Sequence, residues 1–510
     1  MLWAGTDDGL IQLTRDAGKT WQNVTPPQLK PWGKVSIIEA SHFDAGTAYA
    51  AINSFRLDDL RPHIYRTRNF GATWQEITAG MPENAPSNVV REDPSRRGLL
   101  FAGTETSVYV SFNDGDSWQP LQLNLPHTSM RDLVIHGDDL VVGTHGRSFW
   151  ILDDITPLRQ MSDDVAKAPV YLFAPQEAIR WRWNRNPDTP LPPDEPAGKN
   201  PPDGAIIDYF LGNATKNAVT LEIRDEAGSM VRRYSSADTP ESLEKLAAEH
   251  PMPMYWVRPT QILSGAAGMH RFVWNLHYTP PKALEYEFPI SAILRDTPKY
   301  PLGAWVLPGT YTVKLTLDGQ SYTRPLTVKM DPRIKTPLED LRKQRDMQLG
   351  ASEGMDESYE ALEQIRSVRD QLKELAPKAQ GKAKNKSKLV ESMASLDKQC
   401  AELEGATQRS FFGLPPSGKR PENLSTLNQH FAAILAVADS ADAAPTTQAT
   451  AVEQELEEQG AILRKQWSVL RETGIPALNK NLKKAGLPTI DPKKPLSEEL
   501  GGASDGDDEP

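Results

Sequence analysis

The chain reads as a multidomain, mainly β protein: a repeat-built array of short antiparallel sheets, then a β-sandwich, then an α-helical region. Three observations predict this order. One pattern of polar turn residues ending in Trp recurs three times within the first 118 residues. Beyond residue 204 apolar residues alternate with period two between turn signals, and from about residue 337 the apolar period becomes helical.

The first copy of the pattern is Thr14, Asp16, Gly18, Thr20 and Trp21. The second is Thr67, Asn69, Gly71, Thr73 and Trp74, and the third is Ser111, Asn113, Gly115, Ser117 and Trp118. A short alternating apolar run precedes each copy. This is hairpin-turn chemistry: the Asp or Asn side chain accepts from turn amides, Gly supplies a positive φ, and Trp plugs the hairpin onto its sheet. The pattern resembles the Asp-box, or BNR repeat, of the β-propellers of sialidases, xyloglucanase-type glycosidases and sortilin-like (VPS10) proteins. The resemblance implies a partial Asp-box β-propeller in which Asp16, Gly18, Trp21, Asn69, Gly71, Trp74, Asn113, Gly115 and Trp118 are structural, because in that family the box is a turn and not a catalytic element. Thr144, His145, Arg147, Trp150, Asp153 and Asp154, followed by a Pro-rich segment, are similar to the large secreted bacterial BNR-repeat proteins of sortilin-like or glycosyl hydrolase type. A secreted or periplasmic location is what that resemblance implies.

Aligned on the boxes, each repeat gives strands A, B and C, the box turn, and strand D. Residues 33–78 and 87–122 read as complete blades, the latter with A at 88–91, B at 99–102, C at 108–111 and D opening at 117–120. Residues 1–25 supply only B, C and D, and 130–155 supply A, B and C without a box, so 1–160 hold about three and a half blades. Closed propellers use about four to eight. The expectation is therefore the C-terminal blades of a longer propeller, with the missing N-terminal blades in the same polypeptide or in another chain.

Residues 161–204 read as a Pro-rich connector. Strand patterns at 205–210, 219–223, 269–274, 309–316 and 322–328 predict a sandwich over 205–332, with insertions at 233–268 and 275–304. Its Leu307–Tyr311 corner and Asp318-Gly319 hairpin resemble the Ig-like (FlgD-like) sandwich of flagellar-hook modules. Over 337–490 four apolar stripes predict a helical bundle or paired hairpins: Leu362 to Leu375, Leu389 to Leu403, Leu424 to Leu435, and Val452 to Leu470. Residues 491–510 read as a disordered acidic tail.

Composition narrows the partners. With 38% hydrophobic and 25% charged residues the 510-residue chain is ordinary globular material. Six of the eleven net negative charges sit in the tail, at Glu498, Glu499, Asp505, Asp507, Asp508 and Glu509, and no general basic field for nucleic acid remains. No run approaches the ~18 apolar residues of a membrane span. Cys400 is the only cysteine, so there is no internal disulfide and no Cys-based metal site, a departure from the disulfide-rich modules that follow the sortilin propeller. His42, His63, His127, His136 and His145 lack metal-ligand spacing, Asn113–Asp116 is better read as a box than a calcium loop, and no phosphate- or dinucleotide-binding glycine motif occurs, so no metal or cofactor is expected.

In a propeller blade the B–C and D–A loops lie opposite the box turns, and ligands enter from that face or the central channel. The B–C loops hold Asp7 and Asp8, then Arg56, Asp58, Asp59, Arg61 and His63, then Glu105, then His145 and Arg147. Arg56, Arg61, His63, Glu105, His145 and Arg147 are the candidate ligand-binding residues, although His145 and Arg147 are more simply read as groups that hydrogen-bond neighbouring loops. A glycosidase needs two carboxylates across the scissile bond, one protonated and one ionised, for which Asp58, Asp59, Asp7 and Asp8 are the candidates. No motif places the Tyr/Glu pair of a sialidase. Trp181 and Trp183 alternate with Arg180, Arg182 and Arg185, a pattern suited to a cation–π ladder or a docking patch. The expected function is an extracytoplasmic BNR-repeat propeller binding a protein, peptide or glycan. The alternative is a glycoside hydrolase, sialidase- or xyloglucanase-like, completed by the absent blades. A homo-oligomer formed through the helical region is a further expectation.

Overall fold

Short apolar runs separated by Gly and Asx turns fold into four consecutive antiparallel meanders. The computed structural model describes residues 1–182, 192, 194–195, 198–249, 252–289, 293–382, 386–406 and 421–496. The first meander holds β1 (Leu2–Gly5), β2 (Ile11–Thr14) and β3 (Gln22–Asn23). The second holds β4 (Lys34–Ala40), β5 (Ala48–Asn53), β6 (His63–Thr67) and β7 (Gln75–Glu76). The third holds β8 (Ser87–Glu92), β9 (Leu100–Thr104), β10 (Val108–Ser111) and β11 (Gln119–Pro120), and the fourth β12 (Met130–His136), β13 (Asp139–Thr144) and β14 (Phe149–Leu152). Strand for strand, the first meander lacks strand A and the fourth lacks strand D, as the repeat alignment predicts.

Successive meanders bury their facing sides against each other. Ile11 and Leu13 of the first meet Val35, Ala50, Ile52 and Tyr65 of the second. Tyr49, Ala51 and Ile64 then meet Val90, Leu100, Ala102 and Tyr109, and Phe101, Val108 and Val110 meet Leu133, Leu140 and Val142. Each large aliphatic or aromatic side chain so buried stabilises the stack by about 1.5–3 kcal/mol.

The boxes close the C–D turns. In each, the first hydroxyl accepts from the glycine amide: Gly18 N–Thr14 Oγ1, Gly71 N–Thr67 Oγ1 and Gly115 N–Ser111 Oγ are all 2.9 Å. The Asx oxygen then accepts the amide of Thr20, Thr73 or Ser117, again at 2.9 Å. These bonds from Thr20, with the hydroxyls of Thr20 and Thr14, hold the Asp16 carboxyl down at about 2. Gly115 has φ +87°, and a Cβ there would run into the side chain of Ile77, so both conformation and space demand glycine. Trp74 and Trp118 donate their indole N–H groups to the carbonyls of Val24 and Ile77 in the preceding meander, both at 2.7 Å. Trp21, in the first meander of this sequence, is 47% exposed, against the expectation that it is plugged into a sheet.

The chain divides into two compact units. The first comprises Met1–Gln176 with Ile206–Thr215 and Ala266–Arg271, and the second Glu177–Ala205 with Lys216–Gly265 and Phe272–Pro510. The stretch expected to be only a connector carries structure: α1 (Thr156–Gln160) is followed by α2 (Asp163–Lys167), β15 (Val170–Leu172) and β16 (Ala178–Arg180). Apolar alternation in Val170–Leu172 suffices for a strand, and Ser162 caps α2 by accepting from Val165 N. Most of the Pro-rich run, with Trp183 and Arg185, lies outside the described residues.

The sandwich strands appear at β17 (Ala205–Leu211), β18 (Thr220–Arg224), β20 (Gly268–Trp274), β21 (Gly309–Leu317) and β22 (Gln320–Met330), joined by β19 (Met230–Ser235). They form two sheets, β15-β17-β20 and β16-β22-β21-β18-β19, each joined by one strand from the stretch before residue 205. In the first unit, Arg271 ties itself to Asp208 at 3.0 Å and to the carbonyl of Asp154 at 2.9 Å. Such charged tethers are what periodicity cannot show.

In the second unit, α3 (Leu243–Glu249) precedes the helical region of α4 (Leu338–Lys382), α5 (Lys386–Glu404), α6 (Leu424–Ala438), α7 (Thr447–Val469) and α8 (Ile475–Lys484). The predicted stripes form one core: Leu362, Ile365, Leu396, Cys400, Phe431, Leu463 and Trp467 are all buried in it. Val452 is the exception, 43% exposed. The acidic tail begins later than expected, because Ile490 is buried, Asp491 N donates to Gln371 Oε1 at 3.0 Å and Leu496 packs on the helical core. Residues 497–510 lie outside the described residues. Among the described residues, no helix is long and apolar enough to cross a membrane, and no cluster of His, Cys, Asp and Glu is arranged to hold a metal ion.

Candidate functional site

In an antiparallel meander the B–C and D–A connections emerge at the end opposite the box turns. In the first two meanders these connections are stapled together. Asp8 lies in the tight Thr6–Leu10 turn, where its carboxylate accepts from the Thr6 hydroxyl and its carbonyl accepts from Trp32 N at 2.8 Å. Asp7, beside it, is exposed. Trp32 sits at φ +69° and is 68% exposed. A left-handed backbone is unfavourable for a bulky residue, and the hydrogen bond to Asp8 offsets that cost. At the next residue, Gly33, a Cβ would crowd Leu29 and the Ser54 hydroxyl. Ser54 opens the lengthened loop of the second meander.

That loop begins with a short 3-10 turn over Phe55–Leu57, which Asp58 closes in the left-handed region, φ +56°. Phe55 and Leu60 are 45% and 53% exposed, Leu57 is exposed beside them, and the Arg56 guanidinium lies 5.8 Å from the Phe55 ring. Asp58 is exposed. Asp59 is held by Arg61, Oδ2 to Nη2 at 2.7 Å, and by His63 Nε2 at 3.2 Å. The other His63 nitrogen, Nδ1, meets Glu76 Oε1 at 2.6 Å. Arg61 first, with His63 behind it, keeps the Asp59 carboxyl far below the usual range, so it is ionised at any working pH.

Hydrogen bonding to Glu76 raises the His63 imidazolium above its ordinary value, against the opposing pull of burial. His63 therefore adds stability that is fully present below about pH 6.5, its unfolded value, and fades as pH climbs through the raised folded value. A histidine NMR titration is expected to give a His63 midpoint above 6.5 in the native chain and a lower one in Glu76→Gln. Equal midpoints would remove Glu76 as the cause.

A buried amide row runs beneath the loops. Asn53 Nδ2 donates to Asn88 Oδ1 at 2.8 Å, and Asn88 Nδ2 reaches Glu105 Oε1 at 3.1 Å and Ser129 Oγ at 3.2 Å. His145 N closes the row on the Ser129 carbonyl at 2.8 Å. Glu105 also pairs with Arg131 at 3.2 Å, so it is a bracing group rather than a free carboxylate. The His145 and Arg147 side chains are exposed and find no partner among the described residues, and loop-to-loop bonding there is made by the backbone.

The structure thus gathers Asp7, Asp8, Asp58, Asp59, Arg56, Arg61 and His63 around the joined loops of the first two meanders. Glu105, His145 and Arg147 belong to the third and fourth. Sequence reasoning missed Trp32, Phe55, Leu57 and Leu60, which form the exposed apolar part of this face, and Asn53 and Asn88, which form its floor. A Trp outside any box, followed by Gly33, was the available signal for the first group. For the second it was the polar pair Asn53-Ser54 ending an otherwise apolar strand.

No family model matches the chain, and no curated protein matches it. Among solved structures, the chain is similar to YCF48 bound to D1 peptide, at 17% identity and TM-score 0.24 over 30% of this chain and 47% of that one. It is similar to the GH74 enzyme of Niastella koreensis at 17% identity and TM-score 0.25, over 30% of this chain and 26% of that one. An ancestral GH74 enzyme aligns at 13% identity and TM-score 0.24, over 64% of this chain and 39% of that one. The chain therefore spans less than half the length of each of these proteins, and likenesses of this strength identify neither a family nor an activity.

Proposed function

We propose that the first unit is part of an Asp-box β-propeller that binds a protein, peptide or glycan through its B–C loop face and performs no catalysis of its own. The observation that carries this reading is the exposed group Trp32, Phe55, Leu57 and Leu60 beside the fixed charges of Asp59, Arg61 and His63. Exposed apolar side chains held by a rigid polar frame are the composition of a binding surface. Trp32 and Phe55 offer flat rings to a sugar or an apolar side chain, and Arg56 offers a cation beside them. A glycosidase acid must stay protonated near neutrality, and Asp59 is held in the opposite state. The Asp-box resemblance supports an extracytoplasmic setting, and the β18, β19, β21 and β22 hairpins support an Ig-like module in the second unit.

The test is a screen of polysaccharides, sialosides and immobilised peptides with the whole chain, followed by Trp32→Ala on any ligand retained. Loss of a stacked aromatic is expected to weaken binding at least tenfold, corresponding to more than about 1.4 kcal/mol, with thermal stability kept. Release of reducing sugar that disappears in Asp58→Asn or Asp59→Asn would replace the binding reading with a hydrolase.

A further inference from the structure

In the second unit a cleft of about 550 Å³ opens between β19 and one face of α4. Met230, Tyr278 and Leu349 give it an apolar side, and Glu353, Asp356 and Glu360 an acidic one. Leu349, Glu353, Asp356 and Glu360 follow one another at intervals of three or four residues, so a single stripe of α4 faces the cleft. Asp356 accepts from the Lys282 amide at 2.7 Å. Glu353 has no partner among the described residues, and Glu360 has the side-chain amide of Gln364 at 3.2 Å. Lys282 is the one cation among the lining residues, and its ammonium is directed to Glu363, 3.5 Å away, and to the Tyr359 ring. The carboxylates therefore outnumber the charges that could neutralise them from within. Burial raises the Asp356 carboxyl above its ordinary value although the Lys282 amide opposes this, as befits a recess with little water.

The wall opposite α4 is a sheet edge. β19 is the last strand of its sheet and pairs with β18 alone. Met230 is 41% exposed and Val231 2%, so the two point to opposite faces of β19, yet both line the cleft. The cleft therefore meets the strand along its edge. Ser236 N donates to the Val219 carbonyl at 2.9 Å. By antiparallel alternation this turns the amides of Tyr234 and Arg232 toward β18, and those of Ser235 and Arg233 outward. The outward Ser235 amide is taken by Asp238 Oδ2 at 2.7 Å. The Arg233 amide and carbonyl have no partner among the described residues. Arg233 lies two residues beyond Val231, about 7 Å along the strand, so one short segment can reach both the free edge and the cleft.

We propose that this cleft binds an extended, basic segment of a partner polypeptide, laid along the outer edge of β19 with lysine or arginine side chains turned to Glu353, Asp356 and Glu360. Main-chain bonds to Arg233 supply part of the affinity, and the α4 carboxylates select the charge. The methylene stem of a basic side chain lies over Met230 and Tyr278 while its charged end reaches the carboxylates. An acidic segment would set like charges together in the same recess and is rejected. The site lies wholly in the second unit and is independent of the loop face of the first.

The probe is the acetylated, amidated peptide Lys-Val-Lys-Val-Lys, titrated to millimolar concentration against the whole protein. Expected are saturable binding and slowed exchange of the Arg233 amide. The double variant Glu353→Gln with Glu360→Gln is expected to weaken binding about tenfold with an unchanged melting temperature, since both side chains are exposed. Methylating the peptide's backbone nitrogens keeps its charge and removes its donors, and is expected to weaken binding by about the same factor. Binding that is absent at millimolar peptide, equal for the methylated peptide, or unchanged in the double variant would overturn the proposal. General attraction of a basic peptide to an acidic chain survives methylation, whereas strand addition does not. The methylated peptide is measured on the unaltered protein, so its result stands whether or not the double variant folds.

Discussion

Arg180→Ala is expected to destabilise the second unit by about 3 kcal/mol, because Val306 and Gln344 lose a buried donor and the buried Asp442 is left with Arg182 alone, at 3.0 Å. Arg180 is 1% exposed and Asp442, its partner at 2.5 Å, has a side chain 4% exposed. The same guanidinium donates to the Val306 carbonyl at 2.9 Å and Gln344 Oε1 at 3.3 Å. Arg182 adds a bond to the Asp439 carbonyl at 2.7 Å, and Trp305 donates its indole N–H to Asp439 Oδ1 at 2.6 Å. The Trp305 ring has the two guanidinium carbons 5.2 and 5.1 Å from its centre, with the His277 ring 3.9 Å away. Full burial drives His277 down to about 4, so it is neutral and adds no third cation.

Urea unfolding followed at 222 nm checks this, since the long helices α4 to α7 all belong to the second unit. A lower midpoint with unchanged slope is expected for Arg180→Ala. Arg180→Lys should recover only part of the loss, because an ammonium cannot reach Val306, Gln344 and Asp442 with one planar fork. Removing both charges, in Arg180→Met with Asp442→Leu, should destabilise less than Arg180→Ala alone. A double variant as unstable as the sum of the singles would show that packing, and not the stranded charge, dominates.

Trp118→Ala is expected to cost about 3–5 kcal/mol, while Trp21→Ala at the matching box position changes stability by no more than about 0.5 kcal/mol. Trp118 is 3% exposed, packs with Ile77, Val90 and Tyr109, and bonds the Ile77 carbonyl at 2.7 Å. Trp21 is 47% exposed. Thermal unfolding monitored by near-ultraviolet circular dichroism separates the two. Equal effects would mean that the box Trp stabilises its own turn and not the contact with the preceding meander.

That contrast also shows how far the sequence could be read. Alternating apolar residues and the Asx-x-Gly spacing were enough to place β8 to β11 within about two residues, because both are local. Thr67, Asn69 and Gly71 bond within a few positions of one another, so a window of eight residues contains the whole interaction. The helical stripes were legible for the same reason: a 3.6 period survives whatever the helix packs against. Trp21 and Trp118 have the same local sequence chemistry and opposite burial, because what covers them lies on a different repeat.

The candidate face was half legible. Charged loop residues could be collected by repeat position, and Asp59, Arg61 and His63 do converge. Their ionisation could not be foreseen, since it depends on Glu76, which arrives from strand β7 at 2.6 Å from His63. Trp32 carried no motif, and its exposure follows from the bond of its own backbone N–H to the Asp8 carbonyl. Arg180 and Arg182, which alternate with Trp181 as if to form a surface ladder, turn inward to Trp305 and Asp442 from over a hundred residues away.

By itself, then, the sequence determined the repeat, its turns, the strand order within each meander and the helical stripes, all of which rest on contacts between residues close in the chain. The tertiary structure alone decided which box Trp is buried, which carboxylate is neutralised by an arginine, where the sandwich strands divide between sheets, and that β19 keeps an open edge beside α4. Those outcomes depend on contacts between distant segments, whose free energies are set by what each side chain meets after the chain has folded.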